Sequence, residues 1–374
     1  MKKVVILTAA SAGGDVRAMK TAGSLTDFGY EVTIVGGKTD ERQCTGKSFS
    51  IFAYNTAYDT KGSVLEKIRS KIHFFFWIKE QLHRIAPDVI QACNIDMLTA
   101  AFLFCKKNAK IIYDSYEICS DKNGVVSKSK LIKKLVIHEE RRLIPKTAYM
   151  ICVSHAAEKW FQSTYPVKNI AVVTNAPIGE AELNDYRKTS PKHVLNIGIY
   201  KEHIGIEQLI LAGKLLNPAH VVIDLRGFGA FEENFRTLAR ENQTEDTVHF
   251  LEPVPQNQVL QTIADTADIG VILNLPTSLN HRLTVTNRLF DYINAGIPVI
   301  MSNMAENCYL NEQYHFGMLI DEVTPEKIAE AITMLAEDQA LYCRLADNAR
   351  KAAKVLRWDK EAEKLKQIYA EILK

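Results

Sequence analysis

Short apolar runs bounded by polar turns alternate along almost the whole chain with longer segments of helical periodicity, and this alternation narrows the possible folds most. VVILTA (4–9) is a continuous apolar run, the pattern of a parallel strand buried on both faces. Met19, Ala22 and Leu25 then recur at helical spacing within 14–28, Gly29 stops that helix, and EVTIVGG (31–37) is the next strand. SFSIFAY (48–54), DVIQAC (88–93), KIIYDSY (110–116), YMICVS (149–154) and IAVVTN (170–175) continue the series. Helices are predicted between them, over about 62–84, 97–107, 128–144 and on to about Thr164. A polar, proline-bearing stretch, ELNDYRKTSPK (182–192), interrupts the pattern as an interdomain linker does. The alternation then restarts with strands HVLNIGI (193–199), HVVIDLRG (220–227), VHFLEP (248–253), ADIGVILN (267–274), PVIMS (298–302) and GMLID (317–321). Helices at about 325–336, 339–355 and 358–373 finish the chain. Such alternation means parallel sheets with helices on both faces. Two such series in 374 residues mean two doubly wound, Rossmann-like α/β domains, 1–186 and 187–357, followed by a terminal helix over 358–374.

The formal net charge of +2 argues against a dedicated nucleic-acid binder. It conceals a split: residues 1–186 carry 26 basic and 19 acidic side chains, and residues 187–374 carry 20 and 25. Seven cysteines, none in C-x-x-C spacing, fit neither a disulfide framework nor a zinc site, and point to a reducing, cytoplasmic setting. No pair of histidines has metal-ligand spacing, so no metal is expected. The apolar run after Lys2 and Lys3, Val4 to Ala10, is at the minimum length for a signal peptide core, leads into Gly13-Gly14 and a polar helix pattern, and reads as the first strand. No stretch reaches the 18 apolar residues of a transmembrane helix.

Several segments carry a resemblance. NRLFDYINAGIPVIMSN (287–303) resembles the nucleotide-sugar-binding signature of family 4 glycosyltransferases, whose usual form is PNKLFEYMAAGLPVIAS. GGDVRAMKTAGSLTDFGYEVTIVGG (13–37) is similar to that family's opening loop and first helix, PDVIQACNIDMLTAA (87–101) and KIIYDSYEI (110–118) to its acceptor-domain strands, and WDKEAEKLKQIYAEIL (358–373) to its closing helix. The resemblance spans nearly the whole chain in order. It implies a GT-B fold, two Rossmann-like domains facing across a cleft, with the acceptor on the first domain and the nucleotide-sugar donor on the second. It also implies that the terminal helix returns to the first domain. The implied activity is transfer of a sugar, with retention, from a UDP- or GDP-linked donor to a hydroxyl of a glycan or lipid-linked acceptor, as in surface polysaccharide or glycoconjugate synthesis. No cofactor is implied. A nucleotide-sugar epimerase of the same fold and a non-catalytic nucleotide-sugar-binding subunit are the rival readings.

On the donor side, ADIGVILN ends in a polar loop, 275–286, and a helix starts near Asn287. Free N–H groups at a helix N-terminus suit a diphosphate, and Thr286 or Asn287 can cap it. Arg288 in the first turn adds a charged fork that stabilises a leaving nucleoside diphosphate; the alternative is a surface arginine, which the helix dipole disfavours unless an anion is present. By resemblance Asp291 stands where the family has a ribose-binding glutamate, and Leu283 where it has a second glutamate. Asn280, His281 or Arg282 is the expected replacement for that second one. Lys201, in GIYKEHIG (198–205), is a second candidate catalytic phosphate ligand. Gly227 and Gly229, in RGFG, form either a base-packing turn or a plain one.

On the acceptor side, Gly13 and Gly14 let the backbone approach a phosphate or sugar, or simply make a tight turn. Asp15 and Arg17 follow at the helix start. Asn94, Asp96, Asp114, Tyr116 and Glu117 lie just after strands, where a hydroxyl acceptor needs hydrogen-bonding or base groups. Asp114 and Glu117 are candidate catalytic groups, with structural carboxylates as the alternative. The family often has histidine where Tyr116 stands, and the resemblance implies that the departing phosphate takes the acceptor proton. Finally, KGSVLEKIRSKIHFFFWIKEQLHR (61–84) is basic and apolar all round. Leu65, Ile68, Ile72, Phe75 and Leu82 form the expected core face. Phe74, Trp77 and Ile78 form the expected contact with an anionic membrane, helped by the basic stretch 120–146. That places the chain in the cytoplasm, peripheral on the inner face of the cytoplasmic membrane.

Overall fold

The computed structural model describes residues 1–40, 46–54, 63–106, 108–121, 129–183 and 191–374. It divides into two compact units, Met1–Thr174 with Glu361–Lys374, and Asn175–Lys360.

The first unit is built on seven strands: β1 (Lys3–Ser11), β2 (Glu31–Gly37), β3 (Ser50–Ala53), β4 (Val89–Cys93), β5 (Lys110–Asp114), β6 (Tyr149–Cys152) and β7 (Ile170–Val172). Every pairing is parallel, in the order β3-β2-β1-β4-β5-β6-β7. The apolar runs are what sheet burial on both faces requires: Val4, Val5, Ile6 and Leu7 are wholly buried. Helices α1 (Val16–Asp27), α2 (Val64–Ile85), α3 (Asn94–Phe104), α4 (Lys130–Leu143) and α5 (His155–Thr164) connect the strands. The chain steps outward in opposite directions from β1 and β4, so right-handed crossovers place helices on both faces and the strand order reverses between these two.

Helix α2 is closed at its start by a capping box between Ser63 and Glu66. Its buried face is Phe74, Ile78 and Leu82, and the half-buried Trp77 packs against the rings of Tyr54 and Phe74. Ile68, Ile72 and Phe76 stand 47–56% exposed. The expected assignment of faces holds at Leu82 and is reversed at four positions: Phe74 and Ile78 are core residues, and Ile68 and Ile72 face outward. Both triplets repeat every fourth residue, so periodicity alone cannot tell which one meets the sheet. The side chain of Leu65 and residues 61–62 and 122–128 lie outside the described residues.

Glu140, on α4, is fully buried. One carboxylate oxygen accepts from the Tyr165 hydroxyl at 2.5 Å, and the other has no hydrogen-bond partner. Burial pushes its pKa from 4.5 up to about 7, against the pull of Tyr165 and Ser120. The unfolded chain gives up this proton first. The folded state therefore loses stability as pH rises from 4.5 through about 7 and levels off above. Urea midpoints across that range should fall for the wild type and stay flatter for Glu140→Gln; equal slopes would contradict the assignment.

The second unit holds β8 (Lys192–Ile199), β9 (Val221–Phe228), β10 (Val248–Leu251), β11 (Ile269–Ile272), β12 (Val299–Ser302) and β13 (Gly317–Ile320). Its sheet is again all parallel, in the order β10-β9-β8-β11-β12-β13. Helices α6 (Ile206–Ala212), α7 (Glu232–Glu241), α8 (Val259–Thr266), α9 (Leu279–Leu283), α10 (Asn287–Asn294), α11 (Ala305–Tyr314), α12 (Pro325–Glu337) and α13 (Gln339–Ala353) surround it. Ala176, fully buried, already belongs to this unit's core, so the chain changes unit ahead of the polar stretch 182–192. Residues 184–190 of that stretch lie outside the described residues. The last helix, α14 (Trp358–Ile372), packs in the first unit from Glu361 onward. There Glu361 accepts from the Thr174 amide at 2.7 Å, and the Tyr369 hydroxyl reaches Gln91 at 2.8 Å.

Candidate functional site

In the second unit the strand order reverses between β8 and β11, the place where doubly wound sheets bind ligands at their carboxyl ends. The two strands pair only at Ile269 with Val194 and Gly270 with Leu195, and then part. Tyr292 of α10 fills the opening. Gly270 makes the room, because a Cβ there would stand 2.5 Å from the tyrosine ring. The Tyr292 hydroxyl donates to the Leu195 carbonyl at 2.8 Å and accepts from the Ile197 amide at 3.3 Å. The residue between those two is Asn196, and one turn back on α10 is Arg288. Arg288 Nη1 donates to Asn196 Oδ1 at 2.6 Å.

The electrostatics of this corner are one-sided. Thr286, the N-cap of α10, makes no side-chain capping bond, and its hydroxyl is buried without a partner. The first turn contains no acid and holds a cation at the positive end of the helix dipole. Burial lowers the pKa of Arg288, partly offset by Tyr292 and Asp291. Among the described residues Arg288 forms no ion pair. Such a corner is completed by an anion with hydrogen-bonding oxygens.

Of the other expected donor residues, Asn287 is exposed, Asn280 is half-buried on α9, and Asp291 is half-buried three residues beyond Arg288. Lys201 is exposed in the loop after β8. Burial lowers the pKa of His281, and the charges of His203 and Lys201 lower it further, so the loops after β8 and β11 lie close together. Gly227 and Gly229 are required by packing: a Cβ on them would come 1.9 Å from the Gly198 carbonyl and 2.4 Å from that of Tyr200. The approach of β8 and the loop after it to β9 is enough to demand glycine at both positions.

In the first unit the expected acceptor residues gather at the ends of β1, β4 and β5, and most are already engaged. Asp15 caps α1, accepting from the Ala18 amide at 3.0 Å and the Thr8 hydroxyl at 2.7 Å. The Gly13 amide donates to the Thr39 hydroxyl, and that of Gly14 to Ser11. Asp114 is wholly buried, with Arg17 against both oxygens at 2.9–3.3 Å and Gln91 donating at 2.6 Å. Burial alone would lower the Arg17 pKa, but Asp114 raises it above its ordinary value. Asp114 is therefore no proton acceptor for a substrate, and Arg17, 4% exposed, is no acceptor ligand; each satisfies the other.

Tyr116 turns its hydroxyl inward, 3.0 Å from Cys93 Sγ, while Asn94 accepts from its amide at 3.1 Å. Burial pushes both the Tyr116 phenol and the Cys93 thiol well up, so both keep their protons. Asp96 is paired with Lys71 of α2 at 2.9 Å. Glu117 is half-buried, and its backbone carbonyl accepts from the Ser115 hydroxyl. No group of His, Cys, Asp or Glu among the described residues is placed to hold a metal, and no helix among them is long and apolar enough to cross a membrane.

Two doubly wound units, with a cation-bearing helix N-terminus at the switch point of the second, are the arrangement that the resemblance to GT-B glycosyltransferases implies. Comparisons agree. Residues 12–176 match the model for Glycosyltransferase Family 4, and residues 180–352 that for Glycosyl transferases group 1. An uncharacterized glycosyltransferase of Haemophilus influenzae is 24% identical over 365 residues, 94% of this chain and 95% of that one. Sucrose-phosphate synthase from Thermosynechococcus elongatus superposes with a TM-score of 0.82 at 15% identity, covering 100% of this chain and 99% of that one. Anabaena HepE in complex with UDP and glucose does so at 0.73 and 14%, covering 99% and 100%. The chain belongs to the family 4-like GT-B glycosyltransferases.

Proposed function

We propose that the second unit binds a UDP- or GDP-linked sugar through its diphosphate at the N-terminus of α10, and that the first unit presents a hydroxyl of a glycan or lipid-linked acceptor. Arg288, held on a neutral amide beside an uncapped helix end, is the observation that carries this reading. The HepE structure with UDP and glucose supports the donor type. In the transfer, the bond from the anomeric carbon to the phosphate oxygen breaks, and the acceptor oxygen bonds that carbon with retention. The acceptor proton passes to the departing phosphate. Arg288, the α10 amides and Lys201 hold the charge that develops there, so chelators should leave turnover unchanged. Asp291 is the proposed ribose ligand. A thermal-shift panel of UDP, GDP, ADP and CMP tests the reading. One nucleoside diphosphate at a hundredfold excess over its Kd should stabilise by about 2.7 kcal/mol, and no response to any would overturn it. The anomeric configuration of the product decides retention.

We further propose peripheral contact with anionic membrane in surface polysaccharide or glycoconjugate synthesis, through a different face from the expected one. Ile68, Ile72 and Phe76 of α2, and Leu131 and Leu135 of α4 at 69% and 57% exposure, stand among exposed Arg69, Lys79, Lys130 and Lys134. Apolar side chains ringed by cations suit an anionic interface. Liposomes containing anionic lipid should float the wild type and fail to float Ile72→Glu/Phe76→Glu; equal behaviour of the two proteins would remove this face from the contact.

A further inference from the structure

Asn196 is out of place in its strand. In HVLNIGI, Val194, Leu195 and Ile197 are buried apolar side chains, and Asn196 sits among them at 1% exposure. A buried amide costs stability unless its groups are bonded. Here only half of it is: Oδ1 accepts from Arg288 at 2.6 Å, and Nδ2 has no partner. The orientation is not arbitrary, because a guanidinium only donates, so the oxygen must face Arg288 and the NH2 must face away. The backbone on either side is pinned by the Tyr292 hydroxyl at Leu195 and Ile197. Strand β8 and helix α10 are therefore locked together around this one side-chain pair.

The choice of an amide matters more than the hydrogen bond. An aspartate of the same shape would hold Arg288 more tightly, as Asp114 holds Arg17 in the first unit. It would also cancel the guanidinium charge. A neutral acceptor fixes the direction of the fork and leaves the charge unspent. We propose that Asn196 is a positioning residue for the donor diphosphate, orienting Arg288 without neutralising it. The inference rests on the donor reading above and deepens it.

A purely structural role and this one predict opposite orders. If Asn196 only fastens α10 to β8, Asn196→Asp should bind ligand as well as the wild type does. If it aims Arg288 and leaves its charge uncompensated, Asn196→Asp should keep the thermal midpoint of the unliganded protein and lose about tenfold or more in affinity, the size of a charge-assisted contact. The measurement is the Kd of UDP, GDP, ADP and inorganic pyrophosphate for wild type, Asn196→Asp, Asn196→Ala, Arg288→Ala and Asn196→Ala/Arg288→Ala. Asn196→Ala should also weaken binding, and should add nothing further once Arg288 is gone. A wild type that binds one of these ligands and an Asn196→Asp variant that binds it equally well would overturn the inference while sparing the donor reading. Full additivity in the double variant would do the same. A wild type that binds none of the four removes both.

Discussion

Arg288→Ala is expected to lower turnover by about 10²–10³, the usual cost of deleting one donor to a developing oxyanion, while the unliganded protein keeps its fold. The second half of that expectation follows from where the residue stands. Among the described residues its side chain bonds Asn196 alone, while Leu289, Phe290, Tyr292 and Ile293 of the same helix carry the packing. A cation in the first turn opposes the helix dipole, so its removal offsets part of the cost of leaving the buried Asn196 amide unbonded. A saturating nucleoside diphosphate should widen the gap in stability, because only the wild type gains the ion pair. Arg288→Lys should recover part of the turnover, since a lysine keeps the charge but not the two-pronged geometry. Turnover of Arg288→Ala within twofold of wild type, at saturating donor, would remove Arg288 from the mechanism.

The parts of this molecule that were legible in advance are those whose cause is local. Parallel strands buried on both faces must be continuous apolar runs, so both series of strands could be read from composition along the chain. Helix α11 was missed because AENCYLNEQY does not gather its apolar residues on one side, and α9 because it is a single turn inside a polar loop. Arg288 was visible because a cation at a helix start is locally anomalous. Asn196 had the same kind of signal, a lone amide in an apolar strand, and could have been found by asking what it bonds. Its partner could not, lying 92 residues away. The two faces of α2 were equally apolar, so the choice between them belonged to the sheet. The strand-end residues of the first unit show the opposite failure. Position at the carboxyl end of a parallel strand singles out Asp114 and Asn94, and position at the following helix start Asp15 and Arg17, yet position does not say whether such groups face a ligand or each other. Here most of them face each other.

That distinction makes the second large prediction. Asp114→Ala should destabilise the protein by about 3–5 kcal/mol, the cost of breaking a buried pair by removing one partner, and any loss of turnover should follow the loss of fold. Arg17 would be left charged at 4% exposure, with the Val173 carbonyl at 2.8 Å and the Tyr116 ring at 5.3 Å as its remaining partners. Gln91, which bridges Asp114 to Tyr369 of α14, would lose its acceptor as well, loosening the terminal helix from the sheet. Arg17→Met added to Asp114→Ala should restore part of the stability, because it removes the orphaned charge; two independent residues would instead add their losses. Urea unfolding of the two single variants and the double variant measures this directly. A different result would reinstate Asp114 as a catalytic group: an Asp114→Ala protein with the wild-type urea midpoint, normal donor affinity and no transfer. In that case the Arg17 contact would have to open during turnover, freeing the carboxylate to meet the acceptor.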